Sequence, residues 1–136
     1  MKTVAVFPYT VALDAVLGLT SESGMDVTLF YRERRAQVNV FLDSGADISI
    51  FPYTVGVQLG FESLDGHLLE YSGVGGGRFG LAIRQVGLRI GTSRVVPIRV
   101  GWSPRDDFPM LIGRLDVFNH FTFEFNHAKQ EIRVKQ

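Results

Sequence analysis

The stretch FLDSGADISIFP, residues 41–52, places an acidic residue at the end of an apolar run. Val38, Val40 and Leu42 lead into Asp43, and Ile48, Ile50 and Phe51 follow the segment Ser44-Gly45-Ala46-Asp47. Carboxylates seldom sit at the edge of a core without a partner or a task. One held at the mouth of an apolar framework is suited to acid–base chemistry. An Asp-Ser-Gly triplet alone is a weak signal, because such triplets often mark turns.

Two further segments bear on that aspartate. In YSGVGGGRFG, Gly73, Gly75, Gly76 and Gly77 lie between strand-like runs, and in FPMLIGRLD an apolar strand enters Gly113-Arg114. The glycines do not read as a phosphate loop: no Lys-Ser/Thr follows, and no helix opens as a dinucleotide loop requires. After Gly77 the sequence alternates as a strand, so the glycines read as the tip of a β-hairpin, either an ordinary flexible one or a lid over an extended ligand.

Other chemistries have less support. His67, His120 and His127 are scattered and not at ligand spacing, so no metal site is expected. Without cysteine there is no disulfide, thiolate nucleophile or Cys-type zinc site, and no nucleophile elbow is present. No cofactor is expected. Fourteen basic and fourteen acidic residues cancel, so no net field favours nucleic acid or an anionic membrane. Arg32-Glu33-Arg34-Arg35 reads as a solvated hairpin turn rather than a nucleic-acid patch.

The elements that must carry these residues are mostly strands. A chain of 136 residues, 46% hydrophobic, fits one domain with a core. FTFEF and EIRVK alternate with period two around NHAKQ, which predicts a hairpin over residues 121–135. Apolar parity changes between RFGLAIR and QVGLRI, which predicts a bulge or turn near Arg84-Gln85. A short helix is expected from Pro52 to Gly60, and LDVFNHF is long enough for about two helical turns.

FPYTV occurs twice, at residues 7–11 and 51–55, and reads as chance or local reuse of a Pro-started turn. TSESG, residues 20–24, reads as a linker, so residues 1–24 are expected to be an N-terminal extension and residues 25–136 the main domain. The N-terminal apolar run superficially suggests a signal peptide, but Pro8 and Asp14 interrupt it. No segment is long enough in apolar residues to span a bilayer, so a cytoplasmic chain is expected.

Taken in order, LDSGADISIFP, the glycine-rich segment and MLIGR resemble the retropepsin-like aspartic proteases over roughly residues 26–136. The C-terminal FNHFTFEFNHAKQEIRV is more similar to cellular and prokaryotic members than to the compact viral enzymes. The resemblance implies an all-β fold: a single closed-barrel acid-protease lobe with one or two short helices and a β-hairpin flap, paired as a two-fold homodimer. It implies an aspartic endopeptidase acting on a peptide or protein, with Asp43 as the catalytic residue. It further implies that Ser44 braces the two active-site loops across the dimer and that the Gly45 carbonyl accepts a bond from substrate. Ala46 matches a small residue beside the site, and Asp47 and Arg114 match a pair in which the arginine orients the acid near the substrate. Val74, Gly75, Gly76 and Gly77 match the flap tip, and Phe108, Pro109 and Met110 match a loop lining a specificity pocket.

This chain departs from the family pattern in two places. Leu115 intervenes between Gly113-Arg114 and Asp116, where the family commonly has Asp or Asn directly after the arginine, and residues 1–24 have no counterpart in the minimal core. The extension therefore reads as a prosegment, a dimer strand or a tether. The competing reading of the whole is a catalytically silent retropepsin-like module for dimerisation or peptide binding.

Overall fold

Alternating apolar residues draw most of the chain into strands, and the computed structural model describes residues 1–66, 68–72 and 78–136. In chain order the elements are β1 (Thr3–Pro8), β2 (Thr10–Asp14), β3 (Gly18–Glu22), β4 (Gly24–Tyr31), β5 (Arg34–Leu42), β6 (Ser49–Phe51) and the helix α1 (Tyr53–Gln58). There follow β7 (Leu68–Ser72), β8 (Arg78–Arg89), β9 (Val96–Trp102), β10 (Met110–Ile112), β11 (Thr122–Asn126) and β12 (Glu131–Lys135).

Six strands close on themselves in the order β4-β5-β10-β6-β9-β8, because β8 also pairs with β4. A barrel this small has room inside only for side chains. Val27, Leu29, Val40, Phe51, Val86, Leu88, Ile98, Val100, Met110 and Ile112 supply them, all buried in one cluster. β7 adds to the outer edge of β8, and a separate sheet of order β1-β12-β11 buries Ile132 and Val134 in the same core. No helix among the described residues is long and apolar enough to cross a membrane.

β8 answers the parity change in the sequence. Its pairing with β9 runs in unbroken register from Ala82↔Trp102 to Leu88↔Val96, so the expected bulge near Arg84-Gln85 is absent. The strand instead buries both faces. Ala82, Val86 and Leu88 point into the barrel, while Leu81, with Ile83 beside it, joins a second cluster around Ile48 and Ile50. The change of parity records a change of buried face.

Other expectations meet the structure unevenly. The C-terminal hairpin forms as β11 and β12, and Arg32-Glu33 make the turn between β4 and β5. LDVFNHF is a run of turns rather than a helix; Asp116 there takes the left-handed conformation (φ 63°), which a helix cannot accommodate. TSESG is not a linker, since β3 extends to Glu22 and β4 begins at Gly24. The first FPYTV runs from β1 into β2 and the second from β6 into α1. Tertiary context decides the conformation of identical pentapeptides.

The helix is fastened by aromatic packing. The Trp102 indole N–H donates to the Tyr53 carbonyl at 3.0 Å, Tyr53 stacks on the indole at 5.3 Å, and Phe61 meets it edge-on at 5.2 Å. α1 lies so close that a Cβ on Gly56 would stand 2.2 Å from Trp102 Nε1 and 2.7 Å from the Phe61 ring. Alanine ordinarily favours a helix over glycine by about 1 kcal/mol, but overpacking a fixed indole costs about 1–3 kcal/mol. With a contact as short as 2.2 Å the overpacking cost falls in the upper part of that range, so Gly56→Ala is expected to lower the urea midpoint, with a net loss of up to about 2 kcal/mol. An unchanged or raised midpoint would show that α1 does not pack this tightly.

Candidate active site

Asp43 lies where β5 ends. β10 runs parallel to β5 with Ile112 beside Leu42, so Gly113-Arg114 leave the barrel next to the point where Asp43 leaves it. The Asp43 backbone N–H donates to the Ile112 carbonyl at 2.9 Å, which fixes the first residue of the loop to the end of β10. Its carboxylate Oδ1 accepts the Gly45 N–H at 2.9 Å, and the Ala46 N–H closes a turn on the Asp43 carbonyl at 3.1 Å. The aspartate is thus oriented by its own loop.

The loop is locked from the other side by the β10 exit. The N–H groups of Arg114 and Leu115 donate to the carbonyls of Ala46 and Asp47 at 3.0 and 2.9 Å. Arg114 Nη1 donates to the Ser44 carbonyl at 2.6 Å, and Nη2 forms an ion pair with Asp47 Oδ1. One guanidinium therefore spans the loop. Gly113 makes this approach possible: a Cβ there would lie 2.5 Å from the Ile48 carbonyl oxygen and 2.9 Å from that of Ala46. Its N–H donates to the buried Ser49 hydroxyl at 3.0 Å.

Asp43, Ser44, Gly45, Ala46, Asp47 and Arg114 are brought together by these contacts. Asp43, Ser44, Gly45 and Asp47 are exposed in the single chain, and Ala46 is buried. Exposure of Asp43 differs from the apolar-mouth setting that its neighbours suggest, since Val40 and Leu42 pack with the barrel core while Asp43 stands beyond the strand end. Phe108 packs with Ile48, Ile50, Leu81 and Ile83, Pro109 is exposed, and Met110 lies in the barrel core. β7 and β8 pair antiparallel up to Ser72↔Arg78; the expected flap-tip residues Val74, Gly75, Gly76 and Gly77 lie outside the described residues.

Several contributors escaped the sequence reading. Leu111 pairs with Ile50 across β6 and β10, and so shares its face, away from the buried Met110 and Ile112. Ile48 and Ile50, which the sequence already places after the Asp43 segment, carry that apolar cluster onto the loop. Ser49 was hidden between them, and a hydroxyl in an apolar run is the one signal that marked it.

Asp116, displaced by Leu115, has its own partner. It accepts Arg99 Nε and Nη2 at 2.8 and 2.9 Å and the Arg99 backbone N–H at 3.0 Å. This fork ties the turn after Arg114 to β9, and the Arg99 guanidinium beside Asp116 holds its carboxyl below the usual carboxylate range.

The closed six-stranded barrel has a retropepsin-like fold, as a structural likeness shows. The chain is similar to the crystal structure of a retropepsin-like aspartic protease from Rickettsia conorii, with a TM-score of 0.61 and 15% sequence identity over 93% of this chain and 98% of that one. No protein-family model and no curated protein matches the sequence.

The Arg99–Asp116 fork has a pH signature. Because the folded-state pKa of Asp116 is lowered, its contribution to stability is complete above the ordinary aspartate pKa of about 3.9 and is lost as pH falls through the lowered value. Arg99→Gln is expected to lower the urea midpoint at neutral pH, and the difference from the parent should shrink steadily below about pH 4. A difference that persists undiminished at pH 2 would mean that the fork contributes through packing alone.

Proposed function

We propose that this chain is an aspartic-type endopeptidase whose active site is completed by a second copy, with Asp43 and Asp43 of the partner subunit sharing one proton. The observation that carries this reading is the Asp43 loop: a carboxylate oriented by the Gly45 N–H, on a loop held by Arg114 and Gly113 at the open end of a closed barrel. Groups that must be aimed at a reacting carbonyl gain from such rigid support.

Peptide hydrolysis by two carboxylates needs one as base and one as acid. The ionised member removes a proton from a water as its oxygen attacks the peptide carbonyl, and the protonated member gives its proton to the carbonyl oxygen. Like charges a few ångströms apart do not both ionise, so the pair titrates as a unit. This chain has one Asp-Ser-Gly, which makes a two-fold homodimer the economical way to supply two.

The remaining residues fall into supporting roles. Ser44 braces the paired loops, the Gly45 carbonyl accepts a substrate N–H, and Arg114 orients Asp47 toward the substrate backbone. Val74, Gly75, Gly76 and Gly77 take the part that the sequence resemblance implies for them, backbone contacts to an extended peptide. The apolar cluster of Ile48, Ile50, Leu81, Ile83 and Phe108 lies beside the loop and favours hydrophobic substrate side chains near Phe108 and Pro109, with Met110 backing that loop from inside the barrel core.

Cleavage of a peptide library tests the reading. Asp43→Asn is expected to reduce cleavage by about 10²–10⁴-fold, and the parent should show a bell-shaped pH–rate profile and a specific activity that falls on dilution. Equal cleavage by both proteins would sink the role of Asp43. No cleavage by either would leave a silent peptide-binding or dimerisation module, and cleavage by a strict monomer would rule out the shared pair.

A further inference from the structure

The hairpin of β2 and β3 has one apolar face that no described residue covers. Leu13 pairs with Leu19 and Val11 with Ser21, so Val11, Leu13 and Leu19 share a face, while Thr10, Ala12, Asp14, Thr20 and Glu22 occupy the other. Val16 and Leu17 form the tip. These five apolar residues are exposed by between 72% (Val11) and 90% (Val16).

The tip is built rather than loose: the Asp14 carboxylate accepts the N–H groups of Val16 and Leu17, each at 2.8 Å. The hairpin base is tied down as well. Tyr9 N–H donates to the Gln130 carbonyl at 2.7 Å, and the Ser21 hydroxyl donates to Gln130 Oε1 at 2.6 Å. A two-stranded ribbon with one uncovered apolar face is marginal in water.

We infer that this hairpin is a dimerisation arm, whose Val11-Leu13-Leu19 face packs against a second copy of the chain. Three observations select that occupant. Residues 10–22 contain Asp14 and Glu22 and no lysine or arginine, which disfavours an anionic bilayer, because surface-binding segments place cations on the polar face. An uncharged apolar face is self-complementary, as a two-fold interface demands. The arm also joins the barrel at Gly24, which pairs with Phe41, two residues before Asp43, so it leaves from the edge that carries the candidate site.

Size agrees with the assignment. An apolar patch of this kind amounts to a few hundred Å², and two-fold symmetry doubles it to the order of 1,000 Å², near the lower limit for a specific interface. The inference rests on the proposed function for the partner's identity, since a site with one Asp43 is incomplete without a second copy.

Sedimentation equilibrium of the parent and of the double variant Leu13→Glu/Leu19→Glu tests the arm, with the variant's fold checked by circular dichroism. The expected result is a folded variant whose dimer dissociates at least tenfold more readily. In the parent, hydrogen exchange of the amides of residues 10–22 should slow as concentration rises through the dimer range, a measurement that needs no variant. Unchanged dimerisation and concentration-independent exchange would overturn the arm while leaving the shared Asp43 pair standing. A weakened dimer together with parental cleavage indifferent to Asp43→Asn would support the arm and overturn the catalytic reading. Binding of the parent to anionic phosphatidylserine vesicles, lost in the variant with dimerisation unchanged, would assign the arm to a bilayer and overturn the inference.

Discussion

The contact of Gly113 with the carbonyls of Ala46 and Ile48 is the constraint on which the candidate site depends. A side chain at residue 113 would push the β10 exit away from the loop, and the bonds from Arg114 to Ser44, Ala46 and Asp47 require that closeness. The ion pair with Asp47 is exposed and, taken singly, adds little stability. Its worth is geometric. A planar guanidinium that reaches a carbonyl and a carboxylate on opposite sides of a turn fixes the turn's shape, and that shape sets where the Asp43 carboxylate points.

Closure of the barrel explains how this loop acquires an apolar neighbour. In a six-stranded ring the interior is filled by one face of each strand, leaving the alternate face to solvent or to further packing. On β6, β8 and β10 that outer face carries Ile50, Leu81, Ile83 and Leu111, and Ile48, just before β6, joins Ile50 and Leu81 in a second, smaller buried cluster beside the Asp43 loop. Burial of apolar side chains on both faces there fastens the Asp43 loop to the barrel wall as well as filling the core.

The C-terminal hairpin, the short helix and the loop are legible in the sequence because their signals are local, whereas closure of the barrel follows only from the resemblance of the ordered motifs. Period-two alternation marks β11 and β12, Pro52 and Gly60 bracket α1, and Asp43 to Asp47 and Gly113-Arg114 stand out as fixed-spacing segments. What stayed illegible depends on long-range geometry. The parity change in β8 looks in one dimension like a bulge, and only the presence of two clusters on opposite faces reveals a continuous strand. Leu111 reads as one more core residue until its pairing with Ile50 is known, and the Arg99–Asp116 fork joins residues seventeen apart that no motif connects. TSESG failed for another reason: its small polar residues suit a loop, but Thr20 to Glu22 pair with Thr10 to Ala12 all the same.

The N-terminal strands connect the outer sheet to the barrel. β1 pairs along β12 from Thr3 to Pro8, with Val4, Ala5 and Phe7 packed on the core, and the chain then swings out through β2 and β3 before entering the barrel at Gly24. The hairpin is thereby joined at its base to ordered strands, with Ser21 bonded to Gln130, and its exit strand enters the barrel beside the strand that carries Asp43. A surface with fixed direction can specify how two copies meet, whereas a flexible tail contributes only to how often they do. If the second carboxylate comes from another copy, orientation is the quantity the chemistry needs, because two Asp43 side chains a few ångströms out of place would make a dimer without a shared proton.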